Sequence, residues 1–405
     1  MGSNIGIYNL HMRAMGGGEK LTLVLAEHLS LSHNVWLFCA EPLDISLLES
    51  FFDVDLSRIT VVPLNAKKVF RAFGRLRGLG ATASILQHHL QLRKFKLDLF
   101  INNSYASSLR CPAPRGVFMC MFPHSRKRFF RSRVRNRPGK GQTSPIQEQM
   151  ADVGVKSEID SYSIVVAISQ YAADWVRQMW NCPAEIIYPP CDDMGPPMPK
   201  QKMILNVGRF IPDANNDELR HQKGQRLLLD AFKQMSDLHR NGWELRFVGS
   251  IGTDKQSATF AETLLRDATG LPVSFHFNGE REVLRDLYRR AAIYWHATGY
   301  GFDLDRYPAK HEHFGIATVE AMSAAAVPVV YASGGQAEIV TDGNNGFRWD
   351  DIDGLKTKTR RLAYDAELGD RLSRNATDSS KRFGRNVFAS KMDQVIATLL
   401  AAPPS

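Results

Sequence analysis

Glu312 and Glu320 bracket the run His313-Phe314-Gly315-Ile316-Ala317-Thr318-Val319, where residue types and spacing carry the most chemistry in the chain. Gly315 lets backbone approach a ligand closely. A helix opening after it offers free N–H groups and the positive end of its dipole to an anion such as phosphate. A carboxylate in the loop and another on the helix can accept hydrogen bonds from sugar or ribose hydroxyls. The plain alternative makes Glu320 a solvated helix-face residue and Glu312 a loop charge. Beyond this run, Ala321–Ala326 continues a small-residue helix pattern, Val327–Tyr331 reads as a buried strand, and Ser333-Gly334-Gly335 as a turn opening another helix.

Other residues suit phosphate or sugar chemistry. Met15-Gly16-Gly17-Gly18-Glu19-Lys20 follows a first strand, and successive glycines let backbone amides face a diphosphate. Three glycines in a row do not make a dinucleotide fingerprint, and a glycine turn after a strand is a weak signal. Arg209 follows a strand ending at Gly208, and Lys223-Gly224 stands at a helix onset. His124 follows another strand; such a lone histidine is commonly structural. Gly249-Ser250 and Asn278-Gly279 lie at strand ends, where turn chemistry is the alternative. Asp303-Leu304-Asp305 has the look of a metal-binding pair and is read as loop charge, so no metal site is expected.

The elements that must position these residues alternate. Strands are expected at 4–8, 34–39, 59–64, 97–102, 116–122 and 162–167, with helices at 19–30 and from the Ser169 cap through Trp180. At 188–199 the Pro-rich run Tyr188-Pro189-Pro190 to Pro199 cannot carry a helix or interior strand. Alternation restarts with strands at 203–208, 243–249, 273–277 and 293–297 and a helix at 224–235. This pattern implies two doubly wound parallel-sheet domains. The expected division is an N-terminal Rossmann-like domain at 1–190, a linker at 191–200, and a C-terminal Rossmann-like domain at 201–382. A final helix is expected in 383–405. Ligands of open parallel sheets bind at strand carboxyl ends, which places an expected cleft between the domains.

Composition sets the class. The 405 residues are 44% hydrophobic and 23% charged, ordinary for a globular protein. No uninterrupted apolar stretch reaches membrane-spanning length, and Met1-Gly2-Ser3-Asn4 leads into a strand without a signal-peptide pattern. Cys39, Cys111, Cys120, Cys182 and Cys191 are odd in number and scattered, which suits reduced thiols in a cytoplasmic protein. The net charge of +9 is uneven, with 23 Lys and Arg against 16 Asp and Glu in residues 1–197. The densest run holds Arg126, Lys127, Arg128, Arg131, Arg133, Arg135, Arg137 and Lys140, interleaved with Phe129 and Phe130; a second spans Lys67 to Arg77. The residues leave open a solvated loop, an anionic membrane, an anionic acceptor or nucleic acid.

The run from Glu312 to Glu320 resembles the E-x7-E signature of glycosyltransferase family 4, the retaining nucleotide-sugar transferases of GT-B fold. The resemblance continues through Ser333-Gly334-Gly335-Gln336-Ala337-Glu338-Ile339-Val340 and Asp342-Gly343-Asn344-Asn345-Gly346-Phe347. Its Glu-His-Phe-Gly-Ile form looks most like dolichol-pathway mannosyltransferases and bacterial polysaccharide enzymes. The resemblance implies two Rossmann-like domains facing across a cleft, with 1–190 on the acceptor side, 201–382 binding the nucleotide sugar, and the final helix in 383–405 crossing back to the first domain. It implies transfer of a hexose, mannose favoured, from GDP-mannose in preference to UDP- or dTDP-sugars, onto a glycan or lipid-linked acceptor, without a required cofactor.

It further implies that Arg209 and Lys223 stabilise charge on the departing diphosphate, as donors fixed where charge develops do. Ile211 to Gln222 separates the two by more than the family pattern expects. Glu320 is implied at the ribose and Glu312 beside the transferred sugar. Backbone around Phe314, Gly315 and Ile316 is implied at sugar and phosphate, with Gly17, Gly18 and Ser250 also on the donor and His124 near the sugar hydroxyls. The basic run is implied at the acceptor or at the inner face of a membrane, with no nucleic acid expected. A sugar-nucleotide epimerase or phosphorylase is the enzymatic alternative, and a basic nucleic-acid-binding protein the alternative from another class.

Overall fold

The computed structural model describes residues 2–64, 79–124, 157–212 and 222–403. The basic run at 126–140, the cluster at 67–77 and most of the segment between Arg209 and Lys223 lie outside them. The chain divides into two compact units, one of Met1–Pro190 with Arg385–Ser405, the other of Cys191–Gly384.

The first unit is built on seven parallel strands: β1 (Asn4–Tyr8), β2 (Asn34–Cys39), β3 (Ile59–Pro63), β4 (Leu99–Asn102), β5 (Gly116–Cys120), β6 (Ile164–Ala167) and β7 (Glu185–Ile186). Their order is β3-β2-β1-β4-β5-β6-β7. Parallel sheets are covered on both faces, which is why β4 and β5 are buried along their whole length and apolar apart from Asn102. The Ser169 cap forms: its hydroxyl accepts from Ala172 N at 3.0 Å and starts the helix Gln170–Trp180. The final helix Arg385–Ala401 buries Phe388, Met392 and Ile396 and belongs to this unit. Arg385 donates to the carbonyls of Phe52 at 2.6 Å and Asp53 at 2.7 Å, and His28 pairs with Asp393 at 2.8 Å.

The second unit repeats the design with β8 (Gln201–Val207), β9 (Glu244–Gly249), β10 (Val273–Phe277), β11 (Ala291–His296), β12 (Val327–Tyr331) and β13 (Phe347–Trp349). The order is β10-β9-β8-β11-β12-β13, every pair parallel. Its core holds Trp295 and Trp349, both fully buried, with the Trp295 indole donating to Thr359 at 2.9 Å. Residues 191–200, expected as a linker, lie within this unit. Cys191 and Met194 are buried, and Cys191 N donates to the Phe383 carbonyl at 2.9 Å. Asp192, 6% exposed, forms an ion pair with Arg281 at 2.7 Å. This extended segment is held by side chains and backbone rather than by regular structure, so its proline content alone did not reveal its packing.

Candidate functional site in the second unit

Strand order reverses between β8 and β11, the topological switch point where open parallel sheets receive ligands. Asn206 ties the two strands by donating to the Trp295 carbonyl at 2.9 Å. Just past their carboxyl ends the structure assembles Lys223, Glu312 and His296. Lys223 Nζ lies 2.6 Å from Glu312 Oε2, and His296 Nε2 lies 3.2 Å from the same oxygen. The Lys223 and Glu312 side chains are only 20% and 18% exposed.

Burial of Glu312 favours its neutral form, but Lys223 and His296 outweigh that and hold the carboxyl well below the usual range. Burial also depresses His296, against the pull of Glu312, so the imidazole is neutral at pH 7. Its Nε2–H then donates to Glu312, and its buried Nδ1 has no hydrogen-bond partner.

Glycines determine where these groups sit. A Cβ on Gly208 would press on Lys223 Cγ at 3.0 Å, so the bare backbone gives the lysine stem its channel. Gly224 adopts φ +70° against Ala297, turning the chain directly from Lys223 into the helix Gln225–Lys233. Gly335 N donates to the Glu312 carbonyl at 2.8 Å. A Cβ on Gly335 would fall 2.5 Å from Phe314 Cα. The Ser-Gly-Gly turn is thus a backbone clamp on the Glu312 loop as well as the opening of the short helix Gln336–Ile339.

Glu320 lies on the helix Ile316–Ser323, 9% exposed, and accepts from the Tyr288 hydroxyl at 3.3 Å. Burial, then the nearby Glu320 charge, pushes the Tyr288 phenol far up, so it remains a donor. Gly315 caps this helix at φ +122°. Phe314 is buried against the Phe383 ring, so its side chain is core, leaving backbone as what it can offer a ligand. Ile316 begins the helix, where N–H groups lack intrahelical acceptors. Arg209 is exposed and forms no ion pair among the described residues; its carbonyl accepts from Gln225 at 3.0 Å. Ser250 is exposed, with its carbonyl bound by Phe210 N at 2.9 Å. Asn278, at φ +50°, accepts from Ile251 N at 3.1 Å. These hydrogen bonds hold the turns at 249–250 and 278–279.

In the first unit, the switch point lies between β1 and β4. Sequence reasoning missed the buried knot there. Thr22 accepts from Asn9 at 2.8 Å and from Asn103 at 2.5 Å, and Asn103 also donates to the Gly18 carbonyl at 3.0 Å. An Asn at the end of each of two adjacent strands was the available signal. The knot anchors the helix Gly17–Ser30, whose first turn is closed by Glu19 accepting from Gly16 N at 2.7 Å. Gly17 is the first residue of that helix, and a Cβ on Gly18 would collide with the Met121 side chain. His124 is half-buried, its ring set edge-on to Trp180 at 5.6 Å. No group of metal-binding side chains occurs among the described residues, and Asp303 instead accepts from Arg306 N at 2.7 Å.

Residues 196–379 match the family Glycosyl transferases group 1. The Xenopus laevis GDP-Man:Man(3)GlcNAc(2)-PP-Dol alpha-1,2-mannosyltransferase is 24% identical over 47% of this chain and 39% of its own length. Its Dictyostelium discoideum counterpart is 25% identical over 60% and 48%. The matched region spans less than half of these relatives. Among solved structures, Anabaena HepE in complex with UDP and glucose superposes with a TM-score of 0.68 at 16% identity, covering 98% of this chain and all of its own. Sucrose-phosphate synthase from Thermosynechococcus elongatus gives 0.69 at 16% identity, over 99% and 100%. At such identity these structures speak to fold. The group 1 match covers most of the second unit, and the two parallel-sheet domains have the GT-B fold of these solved structures, so the chain is similar to glycosyltransferases of the family 4 kind.

Proposed function

We propose that this enzyme transfers a hexose, mannose in preference, from a nucleotide sugar to a glycan or lipid-linked acceptor with retention of configuration. The observation that carries the reading is the Lys223–Glu312–His296 cluster at the switch point of the second sheet. An ammonium held there can meet charge developing on a departing diphosphate, while the carboxylate and neutral imidazole accept from sugar hydroxyls. Arg209, exposed beside it, would supply a second cation, and Glu320, aimed by Tyr288, would take the ribose hydroxyls. The names of the curated relatives favour GDP-mannose; the UDP and glucose held by Anabaena HepE keep UDP-sugars as the competitor. Stereochemically, the leaving phosphate would take the acceptor's proton on the face it departs from, with no metal required.

A thermal-shift screen of GDP-, UDP- and dTDP-sugars tests the donor, because a ligand that binds only the folded state raises apparent stability. GDP-mannose should give the largest shift, and nucleotide release should depend on added acceptor. Stabilisation by no nucleotide sugar would sink the reading. Turnover without acceptor would favour an epimerase.

A further inference from the structure

The first unit carries a second cationic site, on the edge of its sheet opposite the switch point. His89, Arg93, Lys96, Arg110 and Ser161 line a depression of about 650 Å³. Arg93 and Lys96 precede β4, Arg110 precedes β5 and Ser161 precedes β6, so the depression sits at strand amino ends. Among the described residues none of Arg93, Lys96 and Arg110 pairs with a carboxylate; Arg110 donates to the Ser157 hydroxyl at 2.8 Å. The His89 ring approaches the Arg110 carbonyl at 3.4 Å, closing one wall. A helix carboxyl end favours cations, and the helix Leu79–Leu92 accounts in that way for Arg93. It does not account for Arg110, which arrives from a separate loop. Cations gathered from separate segments make a positive patch that attracts an anion. Guanidinium groups are the natural partners of phosphate oxygens.

We infer that this depression binds a phosphate-bearing ligand, either a soluble diphosphate or a phosphorylated lipid headgroup, independently of the sugar-transfer site. Leu86 and Leu90, 58% and 55% exposed, share a face of the helix that ends just before Arg93 and would add apolar contact in the lipid case alone.

The test uses the full chain carrying Lys223→Ala, which removes the cation proposed to hold phosphate at the donor site. Pyrophosphate is titrated calorimetrically, and vesicles of phosphatidylglycerol are compared with phosphatidylcholine by co-sedimentation. At about 0.1 M salt, where screening acts over about 10 Å, at least one arm should show binding. That binding should fall tenfold or more with Arg93→Gln, Lys96→Gln and Arg110→Gln combined. Arg93→Gln alone, at an exposed position, should weaken it threefold or more and serves if the triple variant melts early. Leu86→Ser with Leu90→Ser should weaken only vesicle binding, marking the lipid source; an effect confined to pyrophosphate marks the soluble one. Binding in neither arm, or binding that the glutamine variants retain, overturns the site.

Discussion

Three side chains from distant parts of the sequence share one carboxylate oxygen, and the charge arithmetic of that contact makes the sharpest predictions. Lys223→Ala should lower turnover by about 10²-fold or more, the scale of a lost transition-state donor. It should also lower the melting temperature, since Glu312 would be left buried without its cation. Steady-state rates beside a melt separate the two effects; wild-type turnover would exclude the leaving-group role. The pH dependence has a definite sign. Glu312 is depressed in the folded state, so its stabilisation is present above the ordinary carboxylate range and lost as pH falls through its folded value. His296 is depressed too, so the unfolded chain gains a proton first as pH drops below about 6.5 and stability falls further. Acidification from about pH 7.5 to about pH 5 should therefore destabilise the second unit, and His296→Gln should shrink that loss in a pH series of melts. Lys223 and Glu312 were legible because each sits in a recognisable run. His296 was legible only as a residue of the strand expected at 293–297, since its partner arrives from a separate loop.

At the scale of elements, turns place the site more than the helices do. The Gly334-Gly335 turn presses on the Glu312 loop with no room for a side chain, and its obstacles are backbone, which cannot swing aside. Gly335→Ala should cost about 1–3 kcal/mol by overpacking and reduce transferase activity more than it reduces folded yield; a silent substitution would remove the clamp. Tyr288→Phe should raise donor KM with little change in kcat, because its hydroxyl orients Glu320 without reaching the reacting bond. An unchanged KM would reduce the pair to core packing. Strands and caps were readable from apolar runs and the Ser169 hydroxyl. The packing of 191–200 was not, because an extended segment is stabilised by the Asp192–Arg281 pair and buried Met194, contacts without local periodicity.

At the scale of the molecule, the last helix is a structural part of the first unit. Ending the chain at 384 should remove the buried Phe388, Met392 and Ile396 and destabilise that unit, while the second unit keeps its transition in calorimetry. A single unshifted melt would contradict this. By itself the sequence determined the fold class and carried the family resemblance. Strand and helix periodicities are local properties, and the Glu312–Glu320 run holds its chemistry within nine consecutive residues. Only the tertiary structure decided that Glu312 lies between Lys223 and His296, that Met121 crowds Gly18, and that Phe314 faces the core. Such pairings are made by switch-point topology and by close backbone approach at glycines. Both join residues tens of positions apart, and no local pattern encodes which of them meet.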